Sequence, residues 1–319
     1  MASVQILDGG LGTSLQDKYG VNFSSTDTPL WASHLLVSNP ETLKACQSDF
    51  GEAGVDILLT ATYQIYTGGF QNTKTAEFPQ GIPASEVGRF LRTAVEVAEI
   101  SKVRDSAKIA LSLGPYGACM IPGQEYGGLY DAEHDDEENL YRWHLERLQL
   151  FQNVEGEDLT SRIQYVAFET LPRLDEDECL PDGSNVEQVV EASIGPMEGA
   201  LVPLGIGMNC TKVHKLSGLV DRFGACVKDA IATGLTSAVP SLILYPDGTN
   251  GEVYNTMTQT WERPEGQGSN QDVRPWEVQL AQVVSDANAK GPFQHFIVGG
   301  CCKASHKDIT KLREQFTAA

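Results

Sequence analysis

Seven short apolar runs rich in β-branched residues are separated by stretches of helical periodicity, and this alternation leaves few folds open to the chain. The runs cover residues 4–7, 57–62, 109–113, 165–168, 204–208, 242–245 and 296–298, and the expected helices cover 40–53, 84–106, 137–152, 186–194, 216–233, 275–289 and 307–316. Strands alternating with helices read as βα units around a parallel sheet. With 319 residues, of which 41% are hydrophobic, the chain can bury a large core. No internal repeat or low-complexity linker divides it, so the expectation is a single domain over residues 1–319.

The residues that follow each strand carry the chemistry. Asp8-Gly9-Gly10, Thr62-Tyr63-Gln64, Gly114-Pro115-Tyr116, Glu169-Thr170, Asn209-Cys210, Pro246-Asp247-Gly248 and Gly299-Gly300-Cys301-Cys302 all stand at strand C-terminal ends. Both a (β/α)8 barrel and a doubly wound sheet place their sites there, so this pattern alone does not choose between the two. The segment Gly10-Leu11-Gly12-Thr13-Ser14-Leu15 lacks the third glycine of a dinucleotide fingerprint and is not a P-loop, so no nucleotide cofactor is indicated.

Cys210, Cys301 and Cys302 end two of the apolar runs. Three thiolates delivered from two buried strands would make a zinc site with one position open to a water or a substrate, whereas structural zinc takes four protein ligands. The alternative is that they are small buried hydrophobes, and no CxxC pair or HExxH supports the metal. Cys46, Cys119, Cys179 and Cys226 stand in unrelated contexts and read as structural. His144 and Arg147, three apart on one helix, read as a polar helix face, and His214 and His306 as structural.

Composition excludes several classes. The net charge is −20, with 43 acidic against 23 basic residues, which argues against nucleic-acid partners. The acidic runs at 133–138 and 175–178 read as solvated faces or loops. Residues 1–8 show no basic region followed by an apolar stretch, and no run approaches eighteen apolar residues, so neither a signal peptide nor a membrane span is expected. Seven cysteines, an odd number, point to a reducing compartment, and the expected location is cytoplasmic.

Taken in order, Asp8-Gly9-Gly10-Leu11-Gly12-Thr13, Thr60-Ala61-Thr62-Tyr63-Gln64, Phe168-Glu169-Thr170, Gly207-Met208-Asn209-Cys210, Tyr245-Pro246 with Trp261, and Gly299-Gly300-Cys301-Cys302 resemble the homocysteine S-methyltransferase family. Within that family the chain most resembles the short, stand-alone enzymes that use S-methylmethionine or S-adenosylmethionine. The resemblance implies a zinc-centred TIM barrel in which Cys210, Cys301 and Cys302 hold Zn²⁺ and the homocysteine sulfur takes the fourth position. It further implies that Asp8 and Glu169 grip the homocysteine ammonium, with Tyr63 and the backbone at Gly9 and Gly10 in the same pocket. Asn209 is expected to orient Cys210. Capping or structural pairing is the other reading of Asp8 and Glu169. The implied partners are homocysteine and a sulfonium methyl donor, with the oligomeric state open.

One interval departs from the family. Only 40 residues, 170–209, separate Glu169 from Cys210, where relatives fit a helix, a further strand and a long loop. The fold expectation is therefore α/β, a (β/α)8 TIM barrel lacking or distorting one βα unit between residues 172 and 204. The stretch 173–179 reads as the start of the helix after the fourth strand, joined directly to a later loop. Loss of a strand would leave two open ladder edges. The alternatives to the sulfonium-dependent enzyme are a betaine-dependent methyltransferase and a truncated, poorly active or inactive isoform with a binding or regulatory role.

Overall fold

The computed structural model describes residues 2–24, 26–152, 154–171, 180, 183–195, 202–249, 252–255, 260–262 and 274–317. In chain order the elements are β1 (Ser3–Ile6), α1 (Leu11–Tyr19), α2 (Leu35–Ser38), α3 (Pro40–Glu52), β2 (Ile57–Leu59), α4 (Thr67–Asn72), α5 (Ala84–Ser101), β3 (Lys108–Leu113), α6 (Glu137–Gln149) and β4 (Tyr165–Phe168). They continue with α7 (Val186–Ile194), β5 (Gly205–Lys212), α8 (Leu216–Ala232), β6 (Ser241–Asp247), β7 (Val253–Asn255), β8 (Thr260–Glu262), α9 (Trp276–Lys290), β9 (His295–Val298) and α10 (His306–Thr317). All seven expected strands and all seven expected helices form, with ends that differ by a few residues. The helices α1, α2 and α4 and the ribbon β7–β8 were not expected. In α1 the helical pair Leu11 and Leu15 is interrupted by Gly12, whose missing side chain admits the Trp31 ring.

The ladders among the seven expected strands are all parallel and form two sheets, β1-β9-β6-β5 and β2-β3-β4. This is the α/β architecture that the alternation of elements implied. The chain divides into two compact units. The first comprises Met1–Gly10, Arg173–Val253 and Arg263–Ala319, and the second Leu11–Pro172 and Tyr254–Glu262.

In the first unit, Val4 and Ile6 pair with Phe296 and Val298, which pair in turn with Leu242 and Leu244. Ile6, Leu242, Leu244 and Val298 are wholly buried on one face, and Ile297, paired with Ile243, is buried on the other, so β9 is apolar on both faces, as a parallel strand under helices must be. α8 packs on α7 and α9 through a stripe of buried residues, Leu216, Leu219, Val220, Phe223 and Val227, at helical spacing. α7 starts at a capping box in which Asn185 accepts from the Gln188 N–H and the Gln188 side chain accepts from the Asn185 N–H.

The second unit packs α3 and α5 together on their apolar faces, with Leu43, Cys46 and Phe50 on α3 and Leu91, Ala94 and Ala98 on α5 all buried. Its sheet ends at β4. Val166 and Phe168, two apart and so on one face of that strand, are each 48% exposed, and Leu171 just beyond is exposed too. In the first unit the sheet ends at β5, and Val202 and Leu204 immediately before it are exposed. Thus each sheet has an edge at the strand that borders the short interval 172–204. The acidic stretch expected to begin a helix, 173–179, lies outside the described residues.

Arg147 overturns the expectation of a polar face on α6. It is 1% exposed, and its guanidinium donates to the carbonyls of Ile65 at 2.8 Å, Gly114 at 2.6 Å and Tyr63 at 2.8 Å. Its guanidinium carbon also lies 4.4 Å from the centre of the Trp143 ring. Burial lowers its pKa to about 10, still high enough to keep it charged. The loops after β2 and β3 are therefore tied together by one cation that finds carbonyl dipoles in place of a carboxylate.

Two outcomes follow from this packing. Arg147→Met takes the guanidinium donor from three carbonyls, of which that of Tyr63 keeps the Gly114 N–H, and is expected to lower stability by about 3 kcal/mol, measured by denaturant unfolding; a loss under about 0.5 kcal/mol would refute the tie. His144 packs edge-on against Trp143 and Phe168, and burial, aided by the Arg147 charge, lowers its pKa to about 4. The unfolded chain takes up this proton near pH 6.5, so His144 lowers stability as pH falls from about 6.5 to about 4. The His144→Phe variant should show a shallower loss of stability in that window, and an unchanged slope would contradict the assignment.

Candidate metal centre

The centre is built where β5 departs from regular pairing. Asn209 pairs with Tyr245 and Lys212 with Asp247, so β5 takes three steps where β6 takes two. The extra residue is a β-bulge, a device that re-aims a side chain at the end of a strand. Cys210 lies in it with a left-handed φ of 50°, which a non-glycine residue adopts only when its surroundings hold it there. Opposite the bulge stands Pro246, which has no N–H to give to a ladder, so sequence and irregularity agree.

The other two cysteines arrive from β9. Gly299 lets this strand end close against β1, since a Cβ there would lie 2.7 Å from the Asp8 carbonyl oxygen, and a Cβ on Gly300 would lie 2.2 Å from that of Ala304. The Gly300 N–H donates to the Asp8 carbonyl at 2.9 Å and the Gly10 N–H to the Ala304 carbonyl at 2.9 Å. The Cys301 N–H donates to the Pro246 carbonyl, and the Gly248 N–H to the Cys302 carbonyl, both at 2.8 Å. Lys303, which follows, has a φ of 63°. The glycines that precede the cysteine pair are there for close backbone approach. Asp8 and Gly9 are buried beside this turn, Gly10 is partly so, and Asn209 precedes the bulged cysteine.

The Sγ atoms of Cys210, Cys301 and Cys302 lie within 4.8 Å of one another. Cys210 and Cys301 are joined as a disulfide across the strands, with Cα atoms 5.4 Å apart, and Cys302 stands outside it. That Cα separation is within the bridging range of about 4.4–6.8 Å, so the same convergence that suits a metal also allows oxidation. Three sulfurs around one tetrahedral zinc with bonds of about 2.3 Å would sit ~3.8 Å apart, a spacing the reduced centre accommodates. Soft sulfur donors, three in number, fit zinc with one position open. Among the described residues this is the one group of three ligand side chains gathered this closely.

Glu169 and Tyr63 belong to the second unit. Glu169 follows β4, is 5% exposed, and accepts a hydrogen bond on Oε1 from the Ser112 hydroxyl of β3. Ser112 is itself fixed: its N–H donates to Thr60 Oγ1 at 3.1 Å, and its carbonyl accepts from the Thr62 hydroxyl at 2.8 Å. Thr170, next to Glu169, has a φ of 52°, a strained conformation for a β-branched residue. Tyr63 is partly buried, with its ring against Gly114 and its carbonyl held by Arg147. The sequence reading missed Ser112 and Arg147. The place of Ser112 opposite β4 depends on register, which the sequence does not show, and the four-residue spacing of Trp143 and Arg147 on α6 is the signal for Arg147.

Among the described residues, the remaining cysteines are not set up as reactive thiolates. Cys46 is buried, and burial pushes the Cys119 thiol up to about 12 and raises that of Cys226. Cys179 lies outside the described residues. His214 is held below its ordinary pKa by burial and by Lys215 and Lys212.

Only the reduced centre offers three thiolates. Protein reduced and then freed of reductant is expected to take up about one zinc per chain, whereas protein with the Cys210–Cys301 bond intact, or carrying Cys301→Ala, takes up little, as measured by metal analysis after gel filtration. Equal zinc in oxidised and reduced protein would contradict this.

The homocysteine S-methyltransferase family model matches the chain in two stretches, residues 5–180 and 175–316. Homocysteine S-methyltransferase 1 of Arabidopsis thaliana is 26% identical over an alignment of 345 positions, which covers 96% of this chain and 91% of that protein. The selenocysteine Se-methyltransferase of Brassica oleracea var. italica is 27% identical, covering 98% and 91%. Among solved structures, the metallated form of the homocysteine methyltransferase MmuM from Escherichia coli is similar in fold, with a TM-score of 0.67 at 22% identity over 98% of this chain and 96% of that one. With most of its length matched by the family model, the chain belongs to the homocysteine S-methyltransferase family, and so to the methyltransferase enzymes of the 2.1.1 class.

Proposed function

We propose that this chain transfers a methyl group from a sulfonium donor, S-methylmethionine or S-adenosylmethionine, to the sulfur of homocysteine, giving methionine. The observation that carries this reading is the convergence of Cys210, Cys301 and Cys302 at the ends of β5 and β9, in a chain whose family is named for that acceptor. These three cysteines, reduced, would hold Zn²⁺, which when bound supplies the Lewis acidity that keeps the homocysteine thiol deprotonated near neutral pH.

The chain's own residues then have a positioning task, because displacement at the methyl carbon of a sulfonium needs no protein nucleophile. Asp8 and Glu169, both buried carboxyl groups, are assigned to the substrate ammonium. The hydroxyl of Ser112 fixes one oxygen of Glu169. Tyr63 and the backbone of Gly9 and Gly10 are assigned to the rest of the amino-acid moiety, and Asn209 to orienting Cys210.

The proposed frame is one homocysteine-binding domain over 1–319, a (β/α)8 barrel lacking or distorting one βα unit between 172 and 204. The family model matches in two stretches that meet at residues 175–180, inside this interval, and this supports a break in the family pattern there. A cytoplasmic location agrees with a centre that works as thiols. No helix among the described residues is long and apolar enough to cross a membrane.

A second reading has one observation in its favour. β4, which delivers Glu169, is a sheet edge with Val166 and Phe168 exposed, and this favours a poorly active or inactive isoform with a binding or regulatory role. Reduced, zinc-loaded protein assayed with homocysteine separates the readings. Methionine should form with S-methylmethionine or S-adenosylmethionine and not with betaine, and Glu169→Ala should lower kcat/KM by about 10- to 100-fold through the lost charge-assisted contact. Zinc-loaded protein that forms no methionine from any donor would establish the second reading.

A further inference from the structure

Lys212 stands two positions beyond Cys210, at the pair where β5 and β6 come back into register after the bulge. Its ammonium donates to Asp247 Oδ2 at 2.8 Å, to Thr249 Oγ1 at 2.6 Å and to the Glu252 carbonyl at 2.5 Å. Three acceptors match the three hydrogens of an ammonium group, an arrangement a planar guanidinium would not reproduce. The Thr249 hydroxyl donates in turn to Asp247 Oδ1 at 2.8 Å, so both oxygens of this buried carboxylate are engaged. A lysine turned inward onto an acid and a backbone carbonyl is not a solvated surface charge.

The segment around Asp247 also holds the other two cysteines. Pro246 accepts from the Cys301 N–H, Gly248 donates to the Cys302 carbonyl, and the Asp247 carbonyl accepts from the Trp276 indole at 2.9 Å. One short stretch, 246–249, is therefore bonded through its backbone to Cys301 and Cys302 and through its side chains to the strand that carries Cys210. Pairing fixes β5 up to Asn209, but across Cys210 and Thr211 the ladder is interrupted, and it resumes at Lys212. The bulge is pinned at both ends, and its far pin is the Lys212–Asp247 pair.

We infer that Lys212 and Asp247 are positioning residues that set where the bulged Cys210 stands relative to Cys301 and Cys302, and thereby the metal affinity of the centre. This rests on the three-cysteine metal reading given above. Neither side chain is a ligand. Partners of this kind, one step removed from a metal, typically change affinity by about 10- to 100-fold.

The test uses the full chain, reduced, with Co²⁺ and Zn²⁺ as probes, and compares wild type with the Lys212→Met/Asp247→Asn double variant. The double change removes both charges together, so that no buried carboxylate is left unpaired, and Lys212→Met alone is the second variant. Thermal unfolding of metal-free protein checks that each folds. The expected result is a loss of Zn²⁺ affinity of about 10- to 100-fold and an altered ligand-field spectrum of bound Co²⁺ in folded double variant. A metal-independent readout accompanies it: the equilibrium between the open dithiol and the Cys210–Cys301 disulfide in a glutathione buffer should shift toward the dithiol. Wild-type protein binding Co²⁺ through thiolates, with the variant identical in affinity, spectrum and disulfide equilibrium, would overturn the positioning role alone. Wild-type protein that takes up no metal when reduced would overturn the metal reading and this inference with it.

Discussion

The first unit depends on a single irregularity, the extra residue by which β5 outruns β6 between Asn209 and Lys212. In an unbroken parallel ladder Cys210 would fall on the same face as the buried Ile206 and Met208, and its sulfur would point to that side. The bulge takes the residue out of that alternation and holds it at positive φ, opposite a proline that could not have paired. β9 then ends in two glycines so that its own backbone can close on the end of β1, and the cysteine pair follows directly. Backbone strain and close approach at these positions are costs to stability that a merely structural strand end would not retain.

The second unit shows the same economy with different chemistry. The paired hydroxyls of Thr60 and Thr62, just past β2, hold the backbone of Ser112 on β3, whose own hydroxyl donates to Glu169. Arg147 reaches from α6 to three carbonyls in the loops after β2 and β3. Buried polar groups of this kind are tolerated because each has a partner, and they make the loop geometry specific in a way that an apolar contact would not.

Much of this was legible in the sequence, for identifiable reasons. The strands of a parallel sheet are short, near-continuous apolar runs, so all seven were visible, and amphipathic helices such as α8 announced themselves by spacing. The cysteines and acids were visible because they stand just past those runs. Pairing and inward turning were not legible. Which sulfurs meet depends on register and on a bulge, and a one-residue slip is silent in composition. Arg147 read as part of a polar helix face because a sequence does not show the carbonyls it meets, and the carboxylate that Lys212 meets is equally invisible there. The short interval between Glu169 and Cys210 was visible as a count, and in the structure both sheets stop at the strands that flank it.

The central claim is that three cysteines make a centre whose fourth position belongs to the acceptor sulfur. Zinc K-edge X-ray absorption on reduced, zinc-loaded protein, recorded before and after addition of homocysteine, tests it most directly. The account predicts three sulfur scatterers at about 2.3 Å with one lighter neighbour in the free protein, and four sulfurs once homocysteine is present. A first shell that homocysteine leaves unchanged, or one with fewer than three sulfurs at the outset, would contradict it.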